Sequence, residues 1–338
     1  MLQIDVARGI GIILVVLGHN WLLINNYPVL KQAIYLFHVP LFFFLSGLVF
    51  KPQENTKLLA FKRANALLKP YLIVLLAYEV YRLVTGKSDS LQPVWGILYG
   101  TGQSISLAPL WFLPHLFLVV IVSNFLIRRI HSKANHYSSN VLIFGLLFVG
   151  VALITAFKDV NISGIIGFGK PVGAPIGLPL SVDFLIISSA YFIAGYFYSN
   201  FVKSISSSAL FIVPLVAMFI AILLFFQPNL DLNYRVYDNP ISSTIAAFIG
   251  ILMTMAISKM ISENFDWLSG VLGFIGSGSL FVLIFHGPIQ GMLAYKFNVW
   301  VSGYPFISIF LSAGLAISAA CLFFRVANFY PKLRSILN

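Results

Sequence analysis

Arg8 and His19 are the first residues of this chain whose types and spacing bear on chemistry. They sit in the otherwise apolar run MLQIDVARGIGIILVVLGHNWLLI, Met1–Ile24. On a helix, eleven residues at about 100° each bring the two side chains to within roughly 20° of one face, about 16 Å apart along the axis. Ionisable groups in a spanning helix are costly and normally face a protein interior or a wet cavity. An imidazole, with an ordinary pKa of about 6.5, takes a proton from a hydroxyl at neutral pH, and a positioned base of this kind is worth roughly 10² to 10⁴ in rate. Arg8 alone is also explained as a side chain snorkelling to the inner headgroups. The shared face, with Asp5 one turn before Arg8, favours a working pair.

Three further constellations follow. Phe37-His38-Val39-Pro40 leads into LFFFLSG, Leu41–Gly47. Pro40 falls in a first helical turn, where its missing N–H costs little. Ser46 and Gly47 permit close helix contact. A lipid-facing helix accounts for the Phe run but not for the histidine. Next comes PLWFLPH, Pro109–His115. Taken alone, Trp111 reads as an interfacial belt residue rather than a substrate platform, and Pro114 is expected to bend its helix. The last is GSGS, Gly276–Ser279, followed by LFVLIFHGP, Leu280–Pro288. No strand precedes these glycines, which excludes a dinucleotide fingerprint. Ser279 and His286, seven residues apart, share nearly one helix face. Two acids lie in apolar runs. Glu79 is placed to pair with Arg82. Asp183 either orients a histidine or binds a hydroxyl, or is an exposed end residue.

These residues need elements to hold them. Of 338 residues, 59% are hydrophobic and 9% charged, against roughly 25% charged in soluble domains. Apolar runs of about 20 residues select membrane-spanning helices over barrel strands. The expected fold is an all-α polytopic helix bundle, one domain over 1–338. Ten spans fit: roughly 3–24, 33–50, 66–84, 108–127, 141–157, 181–199, 209–226, 241–260, 271–295 and 304–326. The short stretch 92–102 reads as an interfacial or re-entrant piece. The first span lacks a following small-residue cleavage site and reads as a retained anchor.

With the N-terminus in the cytoplasm, the outer Lys and Arg are Lys31, Arg82, Lys87, Lys158, Lys170, Arg235 and Lys296. The remaining fourteen of twenty-one are inner, which supports cytoplasmic termini and an even span count. His19, His38, His115 and His286 then fall in the outer half of the membrane. His131 and His136 fall in a solvated inner loop. The net charge of +11 sits in short inter-span loops, which argues against nucleic acid and for anionic lipid or an anionic cosubstrate. The single cysteine, Cys321, excludes an internal disulfide or a thiolate metal cluster, and no metal is expected. Asn161-Ile162-Ser163 fits a glycosylation triplet that is frequent by chance.

Taken in order, Arg8 with His19, FHVPLFFFLSG (Phe37–Gly47), LWFLPHLF (Leu110–Phe117) and SLFVLIFH (Ser279–His286) resemble acyltransferase family 3, nearest in look to its fucose 4-O-acetylase-like subgroup. The resemblance implies an integral-membrane enzyme that O-acylates sugars. It implies His19 as the essential first-helix histidine with Arg8 its partner, and it marks Phe37, His38, Pro40, Trp111, Ser279 and His286 as motif positions. The soluble esterase-like domain of some members has no counterpart up to Asn338.

The expected activity is acetyl transfer from cytoplasmic acetyl-CoA to a hydroxyl of a cell-envelope or exported saccharide, in the bacterial inner membrane. His19, Arg8 and His286 are the expected catalytic residues, with His19 acting as base or as acyl relay. His38, His115, Trp111, Asp183 and Ser279 are expected on the substrate side. Arg8, Lys62, Arg63 and Lys69 are expected to attract the acyl-CoA phosphates. The competing readings are a secondary transporter or flippase, which would carry intramembrane charges and broken helices equally well, and a non-catalytic scaffold.

Overall fold

The computed structural model of the chain describes residues 2–87, 92–131, 136–157, 177–301 and 303–330. The triplet at Asn161–Ser163, the cations Lys133, Lys158, Lys170, Lys332 and Arg334, and the side chains of His131 and His136 lie outside this description.

The described chain is helical almost throughout. In order the α-helices are α1 Leu2–Gly18, α2 Trp21–Asn26, α3 Pro28–Tyr35, α4 His38–Leu48, α5 Thr56–Arg63, α6 Lys69–Val84, α7 Gln92–Tyr99, α8 Phe112–His131, α9 His136–Phe157, α10 Leu185–Phe197, α11 Ser199–Lys203, α12 Ala209–Phe226, α13 Pro240–Asn264, α14 Asp266–Ser277, α15 Ser279–Trp300 and α16 Pro305–Phe329. A two-stranded hairpin, β1 Asn229–Asp231 with β2 Val236–Asp238, interrupts them. Among the described residues, eight helical segments are long and apolar enough to cross a membrane. This is the polytopic helical architecture expected. The first and third expected spans fall short by length: α1 has 17 residues and α6 has 16, roughly 25 Å against a hydrocarbon core of roughly 30 Å.

Three expected spans are broken, that at 33–50 by a turn at Leu36 and Phe37 between α3 and α4. The first, 3–24, ends at Gly18 and restarts at Trp21, because Asn20 leaves helical geometry and its side chain accepts the Leu22 N–H as an N-cap. The expected span 271–295 is two helices, α14 and α15, which part at Gly278. Part of the expected inner loop 51–69 is helical as α5. It joins α6 through a π-helical turn, Ala64–Leu68. Pro114 produces no bend, since the α-helix begins at Phe112 and the proline occupies its first turn. The stretch from 92 does form a short helix, α7, of eight residues.

Contacts divide the chain into two compact units. The first comprises Met1–Leu45, Tyr198–Leu230 and Tyr237–Tyr330; the second includes Ser46–Phe197 and Asp231–Val236. In the first unit α1 is central. Ile12, Val15 and Val16 pack with Val282 of α15 and with Ala313, Ile317, Ala320 and Cys321 of α16. Val6 packs with Ile261 and Leu272. The approach of α1 to α14 depends on two glycines. A Cβ on Gly276 would overlap the Asp5 carbonyl, and one on Gly9 the Leu272 carbonyl. Small residues of this kind let helix backbones touch where lipid supplies no hydrophobic drive between helices.

Candidate active site

Three imidazoles gather in the first unit. Gly276 meets the α1 backbone at Gly9. Ten residues beyond each of these glycines, the rings of His19 and His286 meet at 5.5 Å, edge to face. Tyr35, at the end of α3, stands 6.4 Å from the His19 ring and 4.8 Å from the His38 ring. Its hydroxyl donates to the Gly18 carbonyl at 3.2 Å and so ties α3 to the end of α1. His38 and His286 are buried, while His19 is half-buried.

Each ring is anchored in the same way. Nδ1 of His19 lies 2.8 Å from the Val15 carbonyl, that of His38 lies 2.9 Å from Ile34, and that of His286 lies 2.8 Å from Val282. A carbonyl oxygen only accepts, so the hydrogen-bond network assigns a hydrogen to Nδ1 in all three rings. In the neutral imidazole, Nε2 then carries a bare lone pair. On His286 that nitrogen is buried and without a hydrogen-bond partner. A lone pair held by a fixed ring is what a general base or an acyl-accepting nucleophile requires.

Arg8 stays at the other end of α1, half-buried and ion-paired with Asp5 at 3.1 Å. Ser279 opens α15, two turns before His286. The geometry therefore groups His19, His286 and His38, and leaves Arg8 and Ser279 at a distance along their helices.

The remaining expected residues belong to the second unit. His115 is fully buried, and both ring nitrogens are engaged, Nδ1 with the Leu180 carbonyl at 3.1 Å and Nε2 with the Ser188 hydroxyl at 2.9 Å. Trp111 is buried against His115 and Phe184, with ring centres at 5.7 and 5.5 Å. Asp183 is buried as well, which removes the exposed-end reading. Its Oδ2 accepts from Nε of Arg235 at 2.8 Å, and its Oδ1 from the Leu178 N–H at 3.0 Å. Arg235 also donates to the Asn233 carbonyl and the Ser181 hydroxyl, and its guanidinium faces the Phe184 ring. Leu180, Ser181 and Arg235 all hold positive φ, a conformation that non-glycine residues adopt only when the surroundings enforce it. Glu79 pairs with Arg82 at 3.0 Å, as its spacing predicts.

In the second unit, Lys51, Lys62 and Arg63 line a cleft of about 300 Å³ with Val49, Gln53, Leu58, Leu59 and Ala66. Gln53 is held by Asn124, whose side-chain amide accepts the Gln53 N–H and donates to the Gln53 carbonyl. Arg63 precedes the π-helical turn, an irregularity frequent at functional sites. Partial burial lowers its pKa, and the guanidinium remains charged. Lys69 is the first residue of α6 and is not part of the cleft lining.

Sequence reasoning missed Tyr35, Asn20, Gln290 and the partner of Asp183. Tyr35 lies three residues before His38, within one turn, which was a usable signal. Arg235 stands far from Asp183 in the chain, and no local pattern announces the pair.

Residues 1–326 match the family model of the acyltransferase 3 type, described as an acyltransferase domain. The chain belongs to acyltransferase family 3 and is a multi-pass membrane acyltransferase. Comparison with curated proteins and with solved structures found no match.

Proposed function

We propose that the protein transfers an acetyl group from cytoplasmic acetyl-CoA to a hydroxyl of a cell-envelope or exported saccharide, in the bacterial inner membrane. One observation carries this reading beyond family membership. His19 presents an anchored, half-buried imidazole with a bare Nε2 against a second imidazole of the same tautomer. That pair suits removal of a hydroxyl proton, or transient acylation, at a membrane-embedded point.

The anionic donor fits the cationic cleft of Lys51, Lys62 and Arg63, since phosphates pair with guanidinium and ammonium groups by charge-assisted hydrogen bonds. Arg8, already paired with Asp5, adds positive potential at the start of α1. On the acceptor side, Trp111 would act from behind, packed on His115 and Phe184. His38, beside Tyr35, would orient substrate near His19. His115 and Asp183 would shape the second unit's wall through Leu180, Ser188 and Arg235.

The test uses membranes containing the protein and acetyl-CoA labelled in the acetyl group. Label is expected in the membrane glycan with the wild type and not with His19→Ala. Equal labelling by the two proteins would remove His19 from the reaction. Coupled uptake of a solute without acetyl release would favour a transporter instead.

A further inference from the structure

The geometry points to Gln290 as the hydrogen-bond donor to the acyl carbonyl oxygen during transfer. The inference rests on the transfer reading above and deepens it, since Gln290 lies outside the sequence motifs.

Helix α15 turns a four-residue stripe inward: Val282, His286, Gln290 and Ala294, all buried. Val282 packs with Ile12, Val15 and Val16. One turn on, His286 meets His19. Two turns beyond His286, Ala294 packs with Leu22 and Leu23 of α2. Gln290 stands between these last two contacts, so it faces the break between α1 and α2 at His19–Asn20.

The other nitrogen donors at this break are engaged. Nδ1–H of His19 and of His286 bond carbonyls of their own helices. The Asn20 amide donates to the Ser312 hydroxyl at 3.0 Å. The amide nitrogen of Gln290 is buried without a partner. Among the described buried side chains here, it holds the N–H bonds still available. A buried donor left unpaired weakens a fold, so its presence requires a cause. An oxygen of the reacting group supplies one.

In the transfer step, the acceptor hydroxyl gives its proton to Nε2 of His19 as its oxygen bonds the thioester carbon. The carbonyl π pair moves onto the carbonyl oxygen, and this oxyanion accepts from the Gln290 amide. When the pair returns, the C–S bond breaks, and the departing thiolate takes the proton back from His19. The products are the ester and the free thiol. Removing one such donor typically costs roughly 10² to 10³ in kcat.

The experiment measures labelled acetyl incorporation into membrane glycan against acetyl-CoA concentration, and thermal unfolding of each purified protein in detergent. Gln290→Met keeps length and removes the donor. It is expected to slow transfer at least about 100-fold, to leave the KM for acetyl-CoA within about twofold, since ground-state binding is untouched, and to unfold at the same or a higher temperature. A Gln290→Met protein with wild-type turnover would overturn the donor role and leave the transfer reading standing. Slow transfer together with a lowered unfolding temperature would make Gln290 a packing residue and also overturn it. Equal labelling by wild type and His19→Ala would sink the transfer reading itself, and the inference with it.

Discussion

The His19 and His286 rings touch at 5.5 Å because α1 and the α14–α15 pair climb in step from the Gly9–Gly276 contact. This coupling makes the chemistry dependent on helix packing well below it. Gly276→Ala would place a methyl group on the Asp5 carbonyl, so the helices must part. The expected cost is about 1–3 kcal/mol of stability, with transfer falling alongside. Gly270→Ala, in the same helix but facing open space, is expected to be neutral or slightly stabilising. Thermal unfolding of the two variants in detergent checks the contrast.

His19→Ala removes the proposed base without disturbing a buried core position. Transfer is expected to fall by roughly 10² to 10⁴ while the unfolding temperature stays near that of the wild type. A comparable loss from His286→Ala would show that the two imidazoles act together, since groups working as a unit do not add.

Tyr35→Phe deletes the hydroxyl that holds the Gly18 carbonyl and keeps the ring against His38. About 1 kcal/mol of stability is expected to go with that bond. A several-fold fall in turnover with an unchanged KM for acetyl-CoA is expected, because the His19 turn loses its tether. Unaltered turnover would mean that the turn holds its geometry unaided.

The Asp183–Arg235 pair, buried on both sides, is a different case. Asp183→Ala strands a guanidinium and is expected to cost about 3–5 kcal/mol. The double variant Asp183→Leu with Arg235→Met is expected to recover much of that loss, which a double-mutant cycle of unfolding free energies measures.

Lys62→Ala and Arg63→Ala are each expected to raise the KM for acetyl-CoA about tenfold at low salt, with kcat kept, as loss of a charge-assisted phosphate contact predicts. The effect is expected to shrink as salt rises. A salt-independent KM in the wild type would place the phosphates elsewhere.

Much of this arrangement is legible in the chain itself. Hydrophobic runs mark most of the spans, because lipid demands them wherever a helix crosses, and the span at 209–226 appears as expected. Periodicity also relates His19 to Arg8. It does not reveal that Asn20 would cap a new helix, since apolar residues continue on both sides and hydropathy is blind to one side chain bonding one N–H. The split at Gly278 escapes because glycine within an apolar run does not by itself end a helix. His286 beside His19 depends on long-range packing through Gly9 and Gly276; the loop-charge bias puts both in the outer half of the membrane but does not pair them. Asp183 with Arg235 was illegible, because Arg235 sits in a short polar turn that reads as a surface loop.

The carbonyl that grips Nδ1 of His19 also determines traffic. That nitrogen keeps its hydrogen whether the ring is neutral or cationic, so the ring never needs to swivel. One lone pair must then serve both halves of any proton cycle. In the proposed transfer, the attacking alcohol and then the departing thiolate would both have to come within reach of that one nitrogen.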